Sequence, residues 1–194
     1  MSQNLFNLDE IPDISKQKSS SRKLSDKLIA RKIKVKDTLN DLVGEIEKGT
    51  SIHYASVSEW SQHELLRHLL NQTGPAKVWI ATWSMSEPGA TQVLQLCNEG
   101  MITQISCVFD WRIKIRCAVA HQIAKFNFAQ IHLTTCHAKV TVIETEKFNI
   151  SIVTSANYTN NPRIEAGVIT ESKEIADFHK AWIIETLNNS KPFE

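Results

Sequence analysis

The chain of 194 residues has no long apolar run, no C-x2-C pair, no internal repeat and no low-complexity block. A helix that crosses a bilayer needs about 20 mostly apolar residues. None is present, and Met1 to Ser21 lacks the apolar centre of a signal peptide. The expectation is a protein of the reducing cytoplasm with no stable membrane insertion. The four cysteines, Cys97, Cys107, Cys117 and Cys136, are too sparse for a disulfide scaffold and lack zinc-site spacing, so buried reduced thiols are expected and no metal ion or cofactor is called for. Excess charge is missing too. The net charge is +1, which excludes a globally basic body and confines any nucleic-acid footprint to a local patch. The balance is uneven, because residues 1–40 hold nine Lys/Arg against five Asp/Glu, or +4, and leave −3 to the remainder.

What is present is a chain long enough to bury a core, with 42% hydrophobic residues. Residues 1–20 read as a polar tail. From Leu24, the positions Leu28, Val35, Leu39, Leu42 and Ile46 recur at helical steps, which predicts an N-terminal helix with a basic face (Lys27, Arg31, Lys34). Residues 1–48 are therefore read as a tail and helix, a possible seat for a partner protein, and 49–194 as the main domain. There, strands are predicted at Ser51–Val57, Val78–Trp83, Ile102–Phe109, Ile131–Leu133, Ile150–Val153 and Ile164–Thr170. Helices are predicted between them. Ser61-x-x-Glu64 is a capping box that opens one, with Leu65, Leu66, Leu69 and Leu70 inward. Pro88 sits in the first turn of the next. Asp110 is read as the cap of a helix whose Ile115, Val119, Ile123 and Phe126 line one face. A last helix from Ser172 turns Ile175, Phe178, Trp182 and Ile183 inward. The alternation gives an α/β fold, a mixed β-sheet flanked by helices on both faces. Trp83 is read as core, with a base-stacking platform as the alternative, and Tyr158 to Pro162 as a polar turn.

The chemistry concentrates in Cys136-His137-Ala138-Lys139-Val140-Thr141-Val142-Ile143-Glu144 and in Thr154-Ser155-Ala156-Asn157. Side chains at i and i+2 of a strand leave one face about 7 Å apart, so His137 and Lys139 are expected side by side on a strand. The next strand delivers Ser155 and Asn157 at its end. An imidazole, an ammonium, a hydroxyl and a carboxamide together suit one anionic group, a phosphate above all. In the body the dense basic cluster is Arg112, Lys114 and Arg116, read as a contact to backbone phosphates with a solvated helix face as the alternative. His132 is read as structural.

His137-x-Lys139-x4-Glu144 followed by Ser155-x-Asn157 resembles the signature of the phospholipase D superfamily, with Glu144 where Asp is usual and Thr154 where Gly is usual. The resemblance implies a phospholipase D-like fold and a metal-independent phosphodiesterase. His137 would be the nucleophile that forms a phosphohistidine, and Lys139, Asn157 and Ser155 would hold the phosphoryl oxygens. Glu165 would fix the imidazole tautomer. One motif per chain implies a homodimer in which two copies of His137 face each other. The leading substrate is DNA or RNA, cleaved as by an endonuclease. A lipid phosphodiesterase or phosphatidyl transferase is a rival that wants an exposed apolar lip, which the sequence does not make evident. A non-catalytic binding protein on the same scaffold is another.

Overall fold

The structure is a computed structural model that describes residues 20–24, 28–32, 39–57, 60–160 and 163–189, the first two segments by backbone alone. In chain order the elements are β1 (Ser20–Leu24), β2 (Leu28–Lys32), α1 (Leu39–Leu42), β3 (Ser51–Val57), α2 (Gln62–Thr73), β4 (Ala76–Thr82), α3 (Glu87–Asn98), β5 (Ile102–Asp110), α4 (Ile113–Arg116), α5 (Ala118–Asn127), β6 (Gln130–Thr134), β7 (Val140–Glu144), β8 (Asn149–Thr154), β9 (Ile164–Glu171) and α6 (Lys173–Asn188). Seven strands, β3 to β9, form a mixed sheet that β1 and β2 extend, in the order β2-β1-β3-β9-β8-β7-β4-β5-β6. β4, β5 and β6 run parallel, while β7 lies antiparallel between β4 and β8.

β4 has apolar side chains on both of its faces because helices cover both faces of the sheet. Val78 and Ile80 enter the core under α2, α3 and α5, together with Leu65, Leu69, Val93, Leu96, Phe109 and Ile152. Trp79 and Ala81 point the other way, into a smaller core with Val108, Val142 and Ile183 beneath α6. α2 starts where the sequence indicates: the Ser61 amide donates to Glu64 at 2.7 Å and the Glu64 amide to the Ser61 hydroxyl at 3.4 Å. Its four leucines are fully buried, each contributing about 1.5–3 kcal/mol. α6 is tied to the sheet by the ion pair of Lys180 with Glu144, so the motif's last acid acts at the end of β7 remote from Lys139.

Five expectations are corrected. The helix predicted over Leu24–Ile46 is replaced by the β1–β2 pair, which hydrogen-bonds to β3, and by the four-residue α1. The ladder that β3 offers satisfies this backbone better than a helix with a narrow apolar stripe. Lys27 and Lys34 of its basic face lie outside the described residues. His137 and Lys139 precede β7 rather than standing in a strand. The helix after Asp110 is split at Cys117 into α4 and α5, and its expected single face divides: Ile115, Val119 and Phe126 are exposed, while Ile123 packs against the core and Ile113, Ala120, His121 and Ala124 are buried. Small Ala120 and Ala124 let α5 approach α3, which turns the large residues outward. On α6, Ala176, Ile183 and Leu187 are buried, while Ile175 and Phe178 are exposed. Tyr158 is no turn residue but a buried anchor, its hydroxyl 2.7 Å from that of Thr141.

Gly89, in the first turn of α3, packs so closely that an added Cβ would stand 2.5 Å from the Tyr158 carbonyl oxygen. Gly89→Ala improves helix propensity by about 1 kcal/mol, yet forcing that backbone contact apart costs about 1–3 kcal/mol. The expected net result is a lower midpoint in urea unfolding. An unchanged or raised midpoint would show that α3 does not clamp the Tyr158 loop.

Candidate active site

The sheet register gathers five chain segments at one edge. β4 ends at Thr82 and β5 at Asp110, pointing the same way. Ala81 pairs with Val140, so the start of β7, with Lys139 just before it, lies beside the end of β4. Val140 pairs with Val153, and the Thr154 amide continues that ladder to the Lys139 carbonyl at 3.1 Å. Thr154 in turn pairs with Gly167, which brings Glu165 at the start of β9 to the same edge.

His137 is exposed and Lys139 half-buried. The Lys139 ammonium donates to the His137 carbonyl at 2.8 Å and lies 3.4 Å from Nδ1 of the ring. Burial pushes the Lys139 pKa below the ordinary lysine value, against the opposing charges of Cys136 and Glu165. Glu165 accepts from the Ser155 hydroxyl, which accepts from the Ala166 amide at 3.0 Å. Glu165 therefore reaches Lys139 through its charge and Ser155 through a hydrogen bond, and it makes no hydrogen bond to His137. Asn157 is held from two sides. The Thr82 hydroxyl proton is shared between the Ser84 carbonyl at 3.0 Å and Asn157 Oδ1 at 3.3 Å. The next residue, Tyr158, is locked by backbone bonds to Ser84 and Ser86.

The basic cluster divides. Arg112 is bound to Asp110, a wholly buried carboxylate that accepts from Arg112 Nε at 2.6 Å, Nη2 at 2.9 Å and its amide at 3.1 Å. Asp110 also accepts from the Cys136 amide at 3.2 Å, one residue before His137. The guanidiniums of Arg112 and Arg116 lie 5.8 and 5.3 Å from the centroid of the Trp83 ring, which stands 6.1 Å from the imidazole of His137. Arg116 has no carboxylate partner among the described residues, and Trp83 is half-buried at the site rather than part of either core cluster. Lys114 is exposed and has no contact with Trp83; its charge acts on His121 instead. Thr82 and Asp110 were not among the residues the sequence picked out for the site, and Trp83 was weighed as a stacking platform but read as core. The signal they carried was their position at the carboxyl ends of adjacent parallel strands, where ligands of open α/β sheets bind.

This arrangement can take one anion between a cation, an imidazole and an amide, with a second cation mounted on an aromatic ring beside it. No cluster of three His, Cys, Asp or Glu suited to a metal ion occurs among the described residues.

These elements define a phospholipase D-like fold. The chain is similar in structure to NucT from Helicobacter pylori, with a TM-score of 0.56 and 17% identity over 74% of this chain and 99% of that one. It is also similar to Nuc from Salmonella typhimurium, described as a phospholipase D family member, with a TM-score of 0.50 and 16% identity over 66% of this chain and 90% of that one. A third similar structure is the polyphosphate kinase from Porphyromonas gingivalis, at a TM-score of 0.52 and 13% identity over 71% of this chain and 23% of that one. Compared by sequence, the chain matches no family model and no curated protein.

The Arg112 hydrogen bonds, ahead of every other cause, hold the Asp110 carboxyl below its ordinary pKa. Such a group stabilises the fold above its unfolded-state value of about 3.9, and that stability is lost as pH falls through the lower folded value. In urea titrations from pH 7 down to pH 3, Asp110→Asn is expected to be less stable than wild type at pH 7, with the gap closing toward acid. A constant gap would mean that the charge of Asp110 is not what matters.

Proposed function

We propose that the chain is a metal-independent phosphodiesterase that cleaves nucleic acid through a phosphohistidine, with two copies sharing one site across a two-fold axis. The observation that carries this reading is the meeting of His137, Lys139, Asn157 and the Arg116–Trp83 pair at a single sheet edge, on a fold similar to that of a phospholipase D family member.

A phosphodiester anion repels hydroxide, so a neutral nitrogen set among cationic donors is the better attacking group. In the resting site the Lys139 ammonium faces Nδ1 of His137 at 3.4 Å, a loose contact. A bound phosphate draws Lys139 onto a non-bridging oxygen and releases Nδ1. Glu165 fixes the tautomer by exchanging Ser155 for that ring nitrogen, which leaves Nε2 unprotonated. Nε2 then attacks phosphorus, the P–N bond forms, and the P–O bond to the leaving alcohol breaks. The alcohol takes its proton from the imidazolium of the same residue in the second copy. That second ring, now neutral, accepts a proton from water as the water attacks phosphorus, and the P–N bond breaks. Asn157 and Lys139 hold the charge that gathers on the oxygens. The Ser155 hydroxyl joins them once Glu165 has left it. Arg116 takes a neighbouring phosphate, with Lys114 adding charge further out. Arg112, neutralised by Asp110, shapes the wall.

The full chain, incubated in chelator with plasmid, single-stranded DNA, RNA and a phosphatidylcholine reporter, is expected to cut nucleic acid. His137→Ala should lower the rate by at least about a thousandfold, and Asn157→Ala by about a hundredfold or more. Arg116→Ala should weaken binding and reduce the salt slope by about one ion. Sedimentation should give a dimer. Turnover of the lipid reporter alone would overturn the substrate, strict dependence on added magnesium the chemistry, and full activity of a monomer the shared site.

A further inference from the structure

The side of α4–α5 that faces solvent is the wrong one for a soluble helix. Ile115 is 75% exposed, Val119 51% and Phe126 76%. On α5, Val119, Gln122, also exposed, and Phe126 follow one another at steps of three and four residues and share one face roughly 10 Å long, with Ile115 exposed on α4 across the break at Cys117. Lys114, Arg116 and Lys125 are exposed around it, and the Lys125 ammonium lies 5.8 Å from the Phe126 ring centroid. Between Asp110 and Glu144 the sequence has no acidic residue at all, against Arg112, Lys114, Arg116, Lys125 and Lys139.

Three occupants compete for such a surface, and the observations separate them. A second copy packed face to face would bring these cations together with no carboxylate to meet them. Nucleic acid would pair with the cations but leave Ile115, Val119 and Phe126 in water. An anionic bilayer surface satisfies both halves: apolar side chains enter the boundary between headgroups and acyl chains while the lysines stay at the phosphates and carboxylates.

We propose that the α4–α5 face docks the protein peripherally on anionic lipid bilayers. The docking is independent of the reaction assigned to the site. It requires no spanning segment, and no helix among the described residues is long and apolar enough to cross a membrane.

The test is flotation of the full chain with vesicles of phosphatidylcholine alone and of phosphatidylcholine mixed with phosphatidylserine. Binding is expected on the mixed vesicles only, to fall as salt rises, and to drop at least tenfold in Ile115→Gln/Phe126→Gln. These two side chains are mostly in water, so the variant should keep its unfolding midpoint and its cleavage of nucleic acid in solution. Lys125→Gln should lower binding about fivefold, the worth of one surface cation. Failure to float with either vesicle, or equal flotation of the double variant, would overturn the proposal. So would a shift of the double variant from dimer to monomer, which would assign the stripe to a second copy. A loss of nucleic-acid binding without loss of flotation would assign it to nucleic acid.

Discussion

A carboxylate with no exposure to water carries a desolvation cost that several donors must offset together. Asp110 meets that condition with four, three from Arg112 and one from the backbone at Cys136. An ionised carboxylate has about four lone-pair sites, so its capacity is filled. The consequence reaches beyond local stability. The same carboxylate fixes the guanidinium that lies against both Trp83 and Trp111 and the peptide that precedes His137. The aromatic wall and the imidazole segment therefore keep a common reference point, although they come from chain segments 26 residues apart in the sequence. It also settles which arginine is available. Arg112 has its counter-charge, whereas Arg116 rests on an aromatic face with no carboxylate partner among the described residues.

The position of that edge follows from the change of direction in the sheet. β4 has a parallel neighbour on one side and an antiparallel one on the other. The chain leaving β4 therefore turns into α3 where the chain entering β7 arrives, and the two connections part to leave room between them. Neither connection carries the site alone. The Trp83 side gives the ring against His137, and the β7 side gives His137 and Lys139. Tyr158 is pinned between Ser84, Ser86 and Thr141, which holds the neighbouring Asn157 against Thr82 at the end of β4. Gly89 belongs to the same logic: a larger residue there would push α3 off the carbonyl of Tyr158.

The sheet was legible because its strands keep continuous or alternating apolar patterns and its helices carry local stop and start signals such as Ser61, Pro88 and Gly74. That Lys139 and Ser155 fall at one end of the sheet was legible because the short strands β7 and β8 lie between them, whereas the strand expected at His137 and Lys139 begins only at Val140. The phase of α4–α5 was not legible. Helical spacing groups Val119 with Phe126, but the direction of their face depends on what small residues let α3 approach, and the backbone break at Cys117 (φ −138°, ψ 52°) separates Ile115 on α4 from them. Trp83 looked like core for a related reason: the apolar run of β4 continues into it, yet the strand ends one residue earlier. Tyr158 stands among polar neighbours, and its burial comes from α3 and β7, which no local pattern reports. In the N-terminal region the partner strand β3 decided the outcome, and a partner is invisible to periodicity.

The charge at the site explains why it would accept an anion rather than merely tolerate one. Asp110 cancels Arg112, and Glu165 acts on Lys139 from a distance while its oxygen is taken by Ser155. Lys139 is thus a cation short of counter-charge, and burial, the largest influence on it, disfavours its protonated form. A phosphate placed against Lys139 supplies what burial has taken away, so binding of the anion and protonation of the lysine favour each other by linkage. Arg116 adds a charge that no titration near neutral pH removes. The resting contact between Lys139 and Nδ1 of His137 belongs to the same balance: in the reaction proposed above, an anion that draws the ammonium away would free that nitrogen.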